Sequence, residues 1–130
     1  ASLIAAMVEQ GVYMNTSGGS DSDIKIRNLK NFYEAGGFIT VGTDKMRGYG
    51  TCMASLIAEM QCLTQAGLSV RETIACATRN NAAALKLDTG TIEIGMQADL
   101  IAVPGIPDAS FEALLDPVFI MNDGAVIEKH

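Results

Sequence analysis

The hydrophobic pattern of the chain changes character near residue 88. Before this point, short apolar runs alternate with stretches whose apolar residues recur every three or four positions, which predicts strands alternating with helices. Beyond it, the apolar residues fall in four short extended runs at 91–94, 99–103, 118–121 and 125–128. We therefore expect an α/β part over residues 1–87 and a smaller β part over residues 88–130.

The α/β part contains one predicted strand–helix–strand unit. Residues 12–14 and 38–41 are apolar runs next to glycine, a pattern typical of buried strands. The segment between them predicts a helix over 24–35, with Asp23 as its cap and the glycine pair 36–37 at its end. A helical crossover of this kind joins parallel strands, so we expect the two strands to be parallel neighbours.

Two more helices and a hairpin follow from local signals. A helix is predicted over 51–65, and Ser69 with Glu72 has the spacing of a capping box that opens a further helix to about Leu85. The tripeptide at 122–124, Asn-Asp-Gly, is a strong signal for a hairpin turn. The predicted inner face of the first helix consists of Met53, Leu56, Ile57, Met60, Leu63 and Thr64.

Composition and charge exclude several classes of protein. With 48% hydrophobic and 18% charged residues, 130 residues can bury a core, so the chain should be globular. A net charge of −6 argues against a nucleic-acid partner, because binding to phosphates requires an excess of basic groups. No apolar run approaches the ~20 residues of a membrane-spanning helix. We therefore expect neither a nucleic-acid nor a membrane partner.

The cysteines and the single histidine limit the possible chemistry. The 3 cysteines have no C-x-x-C spacing, which favours reduced thiols and a cytoplasmic location over a disulfide framework. The only histidine is His130, at the end of the chain. A Ser-His-Asp triad or a zinc site with several histidines therefore cannot be built from these residues.

Asp44 is the best candidate for a chemical role. It follows the predicted strand 38–41 across Gly42 and Thr43, and ligand-binding side chains collect at the carboxyl ends of parallel strands. A carboxylate there can accept a proton from water or bind a metal ion as a hard oxygen ligand. Gly-Thr-Asp is also an ordinary turn and helix-capping tripeptide, so the residues alone leave both interpretations open.

Several motifs occur along the chain in a characteristic order, at 28–30, 34–36, 42–44, 66–69, 77–80, 90–100 and 122–126. The most specific is the run G-x-I-x-x-G-x-x-A-D-L, which begins at Gly90 and ends at Leu100. Together these motifs resemble the carboxyl-terminal portion of the metal-dependent amidohydrolase superfamily, which includes imidazolonepropionase-like and prolidase-like enzymes. The resemblance covers about 95 positions of the chain.

The resemblance implies a fold and a site. The fold is a (β/α)₈ barrel of the TIM type with a flanking β-sandwich, in which residues 12–14 and 38–41 correspond to barrel strands seven and eight. Residues 1–87 would then be a partial barrel, and residues 88–130 the carboxyl-terminal part of the sandwich domain. Asp44 takes the place of the strand-eight aspartate, which in the family is both a metal ligand and the catalytic base. The implied cofactor is a divalent metal, zinc first, and the implied substrate is a small molecule with an amide, cyclic amide or dipeptide-like bond.

The resemblance is also incomplete. The family's His-x-His and its other metal-binding histidines have no counterpart in this sequence, and Lys86 stands where a glycine is common. We therefore expect a fragment of a longer hydrolase that is inactive alone and prone to self-association or homo-oligomer formation. Two alternatives remain open: a stand-alone non-catalytic α/β domain that binds a ligand or partner, and a metabolite-binding domain in which the loop 16–23 forms an anion nest.

Overall fold

A computed structural model describes residues 2–17, 22–44, 52–108 and 110–129. In chain order, its helices and strands are α1 (Leu3–Glu9), β1 (Tyr13–Thr16), α2 (Asp23–Glu34), β2 (Phe38–Val41), α3 (Cys52–Gln65), α4 (Val70–Ala75), a π-helical segment (Cys76–Asn80), α5 (Asn81–Leu85), β3 (Leu100–Ala102), a 3₁₀ helix (Glu112–Leu115), β4 (Phe119–Asn122) and β5 (Ala125–Lys129). The chain is thus a mixed α/β protein.

The strand–helix–strand unit is present, with β1 and β2 parallel and in register from Tyr13 opposite Phe38 to Thr16 opposite Val41. The second strand has the predicted bounds. The first begins one residue later than predicted and continues to Thr16, because pairing with β2 extends it beyond the apolar run.

Helix α2 begins one residue earlier than the sequence pattern predicts. The predicted cap, Asp23, is the first helical residue, and Ser22 is the cap, because its hydroxyl accepts a hydrogen bond from the Lys25 amide at 3.3 Å. At the other end Gly36 has φ +80, and the Gly37 amide donates to the Phe32 carbonyl. This left-handed ending, which favours glycine, turns the chain directly into β2.

The core lies where helices α2 and α3 pack against one face of the β1–β2 pair. Phe32 and Leu63 are fully buried there, beside Ile39 of β2. The predicted inner face of α3 is correct for most of its members but wrong for Met53, which is 40% exposed. Phe111, from the chain segment before the 3₁₀ helix, is also fully buried in this core.

The helical run after α3 contains an irregularity that the periodicity did not predict. The capping box is present as expected, with Ser69 and Glu72 bonded to each other's backbone amides. The run then passes through the π-helical segment and ends, as predicted, at Leu85. Lys86 follows at φ 56, the left-handed position of a helix ending, which explains why a glycine is favoured there.

The carboxyl-terminal strands form an antiparallel sheet in the order β3–β4–β5, and the predicted hairpin joins β4 to β5. Residues 91–94, predicted as a strand, form an irregular segment instead, and Ile92 and Ile94 are almost fully exposed. The Asp99 carboxylate accepts hydrogen bonds from the Asp123 amide at 2.8 Å and from the Thr89 hydroxyl at 3.1 Å. Asp99, near the end of the G-x-I-x-x-G-x-x-A-D-L run, therefore stabilises the hairpin turn through its hydrogen bond to Asp123.

No helix within the described ranges is both long and apolar enough to cross a membrane.

Candidate functional site

The carboxyl ends of β1 and β2 meet at one edge of the parallel pair. Thr16 lies opposite Val41, and the Gly42 amide extends the pairing by donating to the Thr16 carbonyl at 3.0 Å. Asp44 comes three residues after Val41, is exposed, and has φ 47. The candidate residue is therefore placed just past the strand end, in a left-handed backbone conformation that aspartate and asparagine adopt more readily than most residues.

The chain leaves β2 through a position with no room for a side chain. A Cβ atom added at Gly42 would lie 2.6 Å from the Asn15 side-chain oxygen, closer than real Cβ contacts. Asn15 shares its face of the pair with Tyr13 and Phe38, whose rings meet edge to face with centroids 4.7 Å apart. Glycine at this position therefore lets the Asn15 amide lie against the backbone that leads to Asp44.

Two consecutive asparagines at the end of the π-helical segment bond to the outer edge of β2. The Asn81 side-chain oxygen accepts from the Val41 amide, and its nitrogen donates to the Val41 carbonyl, both at 2.9 Å. The Asn80 side-chain nitrogen donates to the Ile39 carbonyl, also at 2.9 Å. In a parallel pair alternate residues face the neighbour, so Ile39 and Val41 direct these groups away from β1.

This contact was not predicted, although the sequence carries a signal for it. Asparagine is unfavourable inside helices because its amide competes for backbone hydrogen bonds. Asn80 and Asn81 stand together in the middle of a predicted helix. Such a pair indicates that the amides bond to another part of the structure.

Behind this edge, a buried ion pair joins α2 to α3. The Lys25 ammonium lies 2.5 Å from the Glu59 carboxylate, and the side chains are 15% and 1% exposed. The Lys25 ammonium partners this buried carboxylate, and removing either group would leave the other charge buried and unpaired by it.

A cavity of about 390 Å³ opens between the end of β1 and the start of α2. The polar side chains lining it include Ser17, Ser22, Lys25 and Asn28, and the buried Thr16 hydroxyl beside it has no hydrogen-bond partner among the described residues. This is the place of the anion nest considered above. Residues 18–21 of that loop lie outside the described residues, so the nest stays a prediction.

A second polar cluster lies near the start of β2, at the amino-terminal end of the strand and away from Asp44. The Tyr33 hydroxyl donates to the Glu72 carboxylate at 2.7 Å, and Ser69 donates to the same group through its amide at 2.8 Å. Hydrogen bonds from Ser69 and Tyr33 lower the pKa of Glu72 to about 2. Burial raises the pKa of the neighbouring Cys76 thiol to about 11, so this cysteine is not an activated nucleophile.

The donor set does not by itself form a metal centre. Within the ranges that the structure describes, no three His, Cys, Asp or Glu side chains come together. Asp44 offers one carboxylate at the β1–β2 edge, whereas a tight divalent site requires three or four ligands.

The chain matches a known family over almost its whole length. The profile of the amidohydrolase family matches residues 2–128, so the chain belongs to the amidohydrolase family. A search of curated proteins finds no match.

Solved structures have the same fold. An uncharacterized protein matches 98% of the chain with a TM-score of 0.80 at 16% identity, and an enamidase matches 97% with a TM-score of 0.71 at 20% identity. A Xaa-Pro dipeptidase with methionine bound in its active site matches 79% of the chain, with a TM-score of 0.68 at 30% identity. The chain spans only 37%, 36% and 25% of the lengths of these three proteins, respectively.

Proposed function

We propose that this chain is the carboxyl-terminal portion of a metal-dependent hydrolase that cleaves carbon–nitrogen bonds in small, dipeptide-like substrates. The observation that carries the proposal is the position of Asp44, just past the end of a parallel strand in a chain of the amidohydrolase family. In barrel enzymes, catalytic residues lie at that end of the strands. The choice of dipeptide-like substrates is supported by the 30% identity to a Xaa-Pro dipeptidase.

The proposed architecture follows the family. Strands β1 and β2 would be barrel strands seven and eight within residues 1–87, and residues 88–130 would be part of a β-sandwich. This division is supported by the change from a parallel pair to an antiparallel sheet. It is also supported by the exposed apolar side chains of the sheet region, including Ile101 and Val126, which a covering layer of strands would bury.

In this proposal, Asp44 acts as proton acceptor and as one ligand of a divalent metal, with zinc as the first choice. The remaining ligands would come from elsewhere in the complete protein, because no three His, Cys, Asp or Glu side chains come together among the described residues. The metal would supply an activated water for attack on the substrate carbonyl. This chain's own contribution is a carboxylate held at a fixed strand end, ready to take up a proton.

The other expectations from the sequence remain proposals. We propose a small-molecule substrate, an assembly of like subunits and a cytoplasmic location, and no nucleic-acid or membrane partner. The inactivity of these residues on their own is proposed with them, because the part of the chain that the structure describes brings no three metal-binding side chains together.

The test is an assay of the complete protein that carries these residues, against Xaa-Pro dipeptides, other dipeptides, N-acyl amino acids and cyclic amides. We expect hydrolysis of at least one class, loss of activity on dialysis against a chelator, and recovery with zinc or another divalent ion. A protein that hydrolyses none of these compounds in the presence of any divalent metal would contradict the proposal and favour the non-catalytic binding domain.

A further inference from the structure

The Asn81 carboxamide pairs with the end of β2 in the manner of a neighbouring strand. It bonds to both the amide and the carbonyl of Val41, each at 2.9 Å, on the side of β2 that faces away from β1. The same amide nitrogen lies 3.4 Å from the carbonyl of Ala77, one helical turn earlier. One side chain thus joins the strand end to the helix behind it.

We propose that Asn81 is a positioning residue that fixes the turn carrying Asp44. The proposal rests on the proposed function, because it concerns the placement of the base in that reaction. Val41 is the last residue of β2, and Asp44 follows three residues later. Gly42, the residue directly after Val41, donates its amide hydrogen to the carbonyl of Thr16 in β1. The strand end is therefore held on one side by β1 and on the other by Asn81.

The π-helical segment allows this contact. It widens the helix immediately before Asn81, and π-helical turns of this kind are often found at functional sites. Both Asn80 and Asn81 thereby reach β2, although consecutive residues of a regular helix point about 100° apart. The two side-chain amides bond to different positions of β2. Asn80 bonds to Ile39, inside the strand, whereas Asn81 bonds to the residue at its end.

The chemistry of the amide makes the contact specific. Asparagine supplies an acceptor for the Val41 amide and a donor for the Val41 carbonyl at once. Leucine has nearly the same shape and supplies neither. Aspartate keeps the acceptor but places a carboxylate against the carbonyl, and lone pairs that face each other repel. We therefore expect Asn81→Leu and Asn81→Asp both to release the turn, with leucine as the less disruptive packing change.

The experiment compares Asn81→Leu, Asn81→Asp and the matched variant Asn80→Leu in the complete protein, with Asn31→Leu on the exposed face of α2 as a control for the substitution itself. The readouts are kcat and KM for the best dipeptide substrate, the thermal midpoint, and the hydrogen-exchange rates of the amides of Val41 and Asp44. We expect Asn81→Leu to lower kcat by about 10- to 100-fold with KM within about twofold, because misplacing a catalytic group by 1 Å costs rates of this order. Exchange at Val41 should be at least about tenfold faster.

The matched variant separates positioning from general stability. Asn80→Leu should lower the thermal midpoint by a similar amount, while kcat stays within about twofold of the starting protein. Equal losses of kcat in the Asn80 and Asn81 variants, in proportion to their midpoints, would overturn the positioning role. An unchanged exchange rate at Val41 in Asn81→Leu would overturn the contact itself. If the complete protein hydrolyses no substrate, the proposed function fails, and the exchange rates at Val41 and Asp44 still decide whether Asn81 fixes the turn.

Discussion

The region before Lys86 and the sheet region after it bury their apolar side chains to very different degrees. In the first, Phe32, Leu63 and Ile39 are almost completely removed from solvent between the helices and the β1–β2 pair. In the second, every described side chain of β3, β4 and β5 is at least partly exposed. Ile106, in the loop after β3, is 95% exposed.

The difference shows which interactions hold each region. The α/β region is stabilised by a contiguous apolar core, whereas the sheet region depends on hydrogen bonds, such as those of Asp99, and on its attachment through Phe111. A sheet of a few short strands is only marginally stable in water when neither of its faces is covered. We therefore expect the sheet region to acquire its full rigidity only when its apolar surface is covered, by further chain or by a second subunit.

The largest effect should follow from Phe111→Ala, which breaks the attachment between the two regions. Phe111 is fully buried in the core, next to a hydrogen bond of 3.1 Å from the Gln61 side chain to the Ser110 carbonyl. Removing a buried phenylalanine ring costs about 3–5 kcal/mol. Chemical denaturation should detect this loss, and hydrogen exchange should find the sheet region opening before the α/β core.

Leu115→Ala provides the control, because Leu115 lies in the same segment but is 52% exposed. The free energy of unfolding of the Leu115→Ala protein should differ from that of the starting protein by less than about 0.5 kcal/mol. Equal effects of the two substitutions would mean that Phe111 does not join the regions.

The sequence predicted the two regions unequally well. Strong local signals identified β2, the capping box at Ser69 and the hairpin, because each depends on a few neighbouring residues. The extra residues of β1 depend on pairing with β2, which local patterns do not contain. Residues 91–94 have a strand-like composition but pair with no strand among the described residues.

The candidate site was predicted only in part. The position of Asp44 after a parallel strand followed from the strand prediction and the βαβ rule. The pair Asn80–Asn81 indicates that amides inside a helix bond to another part of the structure, but their partner could not be derived, because it depends on a π-helical segment that brings the helix onto the outer edge of β2. Residues 45–51, which follow Asp44, lie outside the described residues.

Acid should weaken both regions through their hydrogen-bonded carboxylates. Hydrogen bonds from Ser69 and Tyr33 lower the pKa of Glu72 from 4.5 to about 2, and a bond from the Asp123 amide lowers the pKa of Asp99 below 3.8. A group whose pKa is lower in the folded state stabilises the fold above its unfolded pKa, and this contribution is lost as the pH falls. For Glu72, the loss should occur between about pH 4.5 and pH 2.

Thermal unfolding of the starting protein and of Glu72→Gln over this range tests the effect. The starting protein should be the more stable near neutral pH, and the difference should disappear as the pH approaches about 2. For Asp99→Asn, the difference from the starting protein should likewise shrink as the pH falls, with the change in hydrogen exchange confined to the sheet region. If the stability difference between the starting protein and Glu72→Gln, or between the starting protein and Asp99→Asn, does not vary with pH, the role of that carboxylate is contradicted.

The smallest effect should come from Lys86→Gly, at the point where the two regions join. Lys86 is exposed and has φ 56, a conformation that costs a residue with a side chain about 1–2 kcal/mol. Glycine removes this cost but makes the unfolded chain more flexible, so we expect a net gain of about 0.5–1 kcal/mol. Chemical denaturation measures the gain, and a loss of stability would mean that the Lys86 side chain makes a contact that outweighs the strain.

The central claim is that the β1–β2 edge carries the catalytic base, and the most direct test is kcat/KM for Asp44→Asn in the complete protein. Asparagine suits the left-handed backbone at φ 47, so the fold and the thermal midpoint should be retained. Because an amide cannot accept the proton, kcat/KM should fall by about 100-fold or more, whereas Asp116→Asn, at an exposed site of the sheet region, should leave it unchanged. A value for Asp44→Asn within about threefold of the starting protein would contradict the claim.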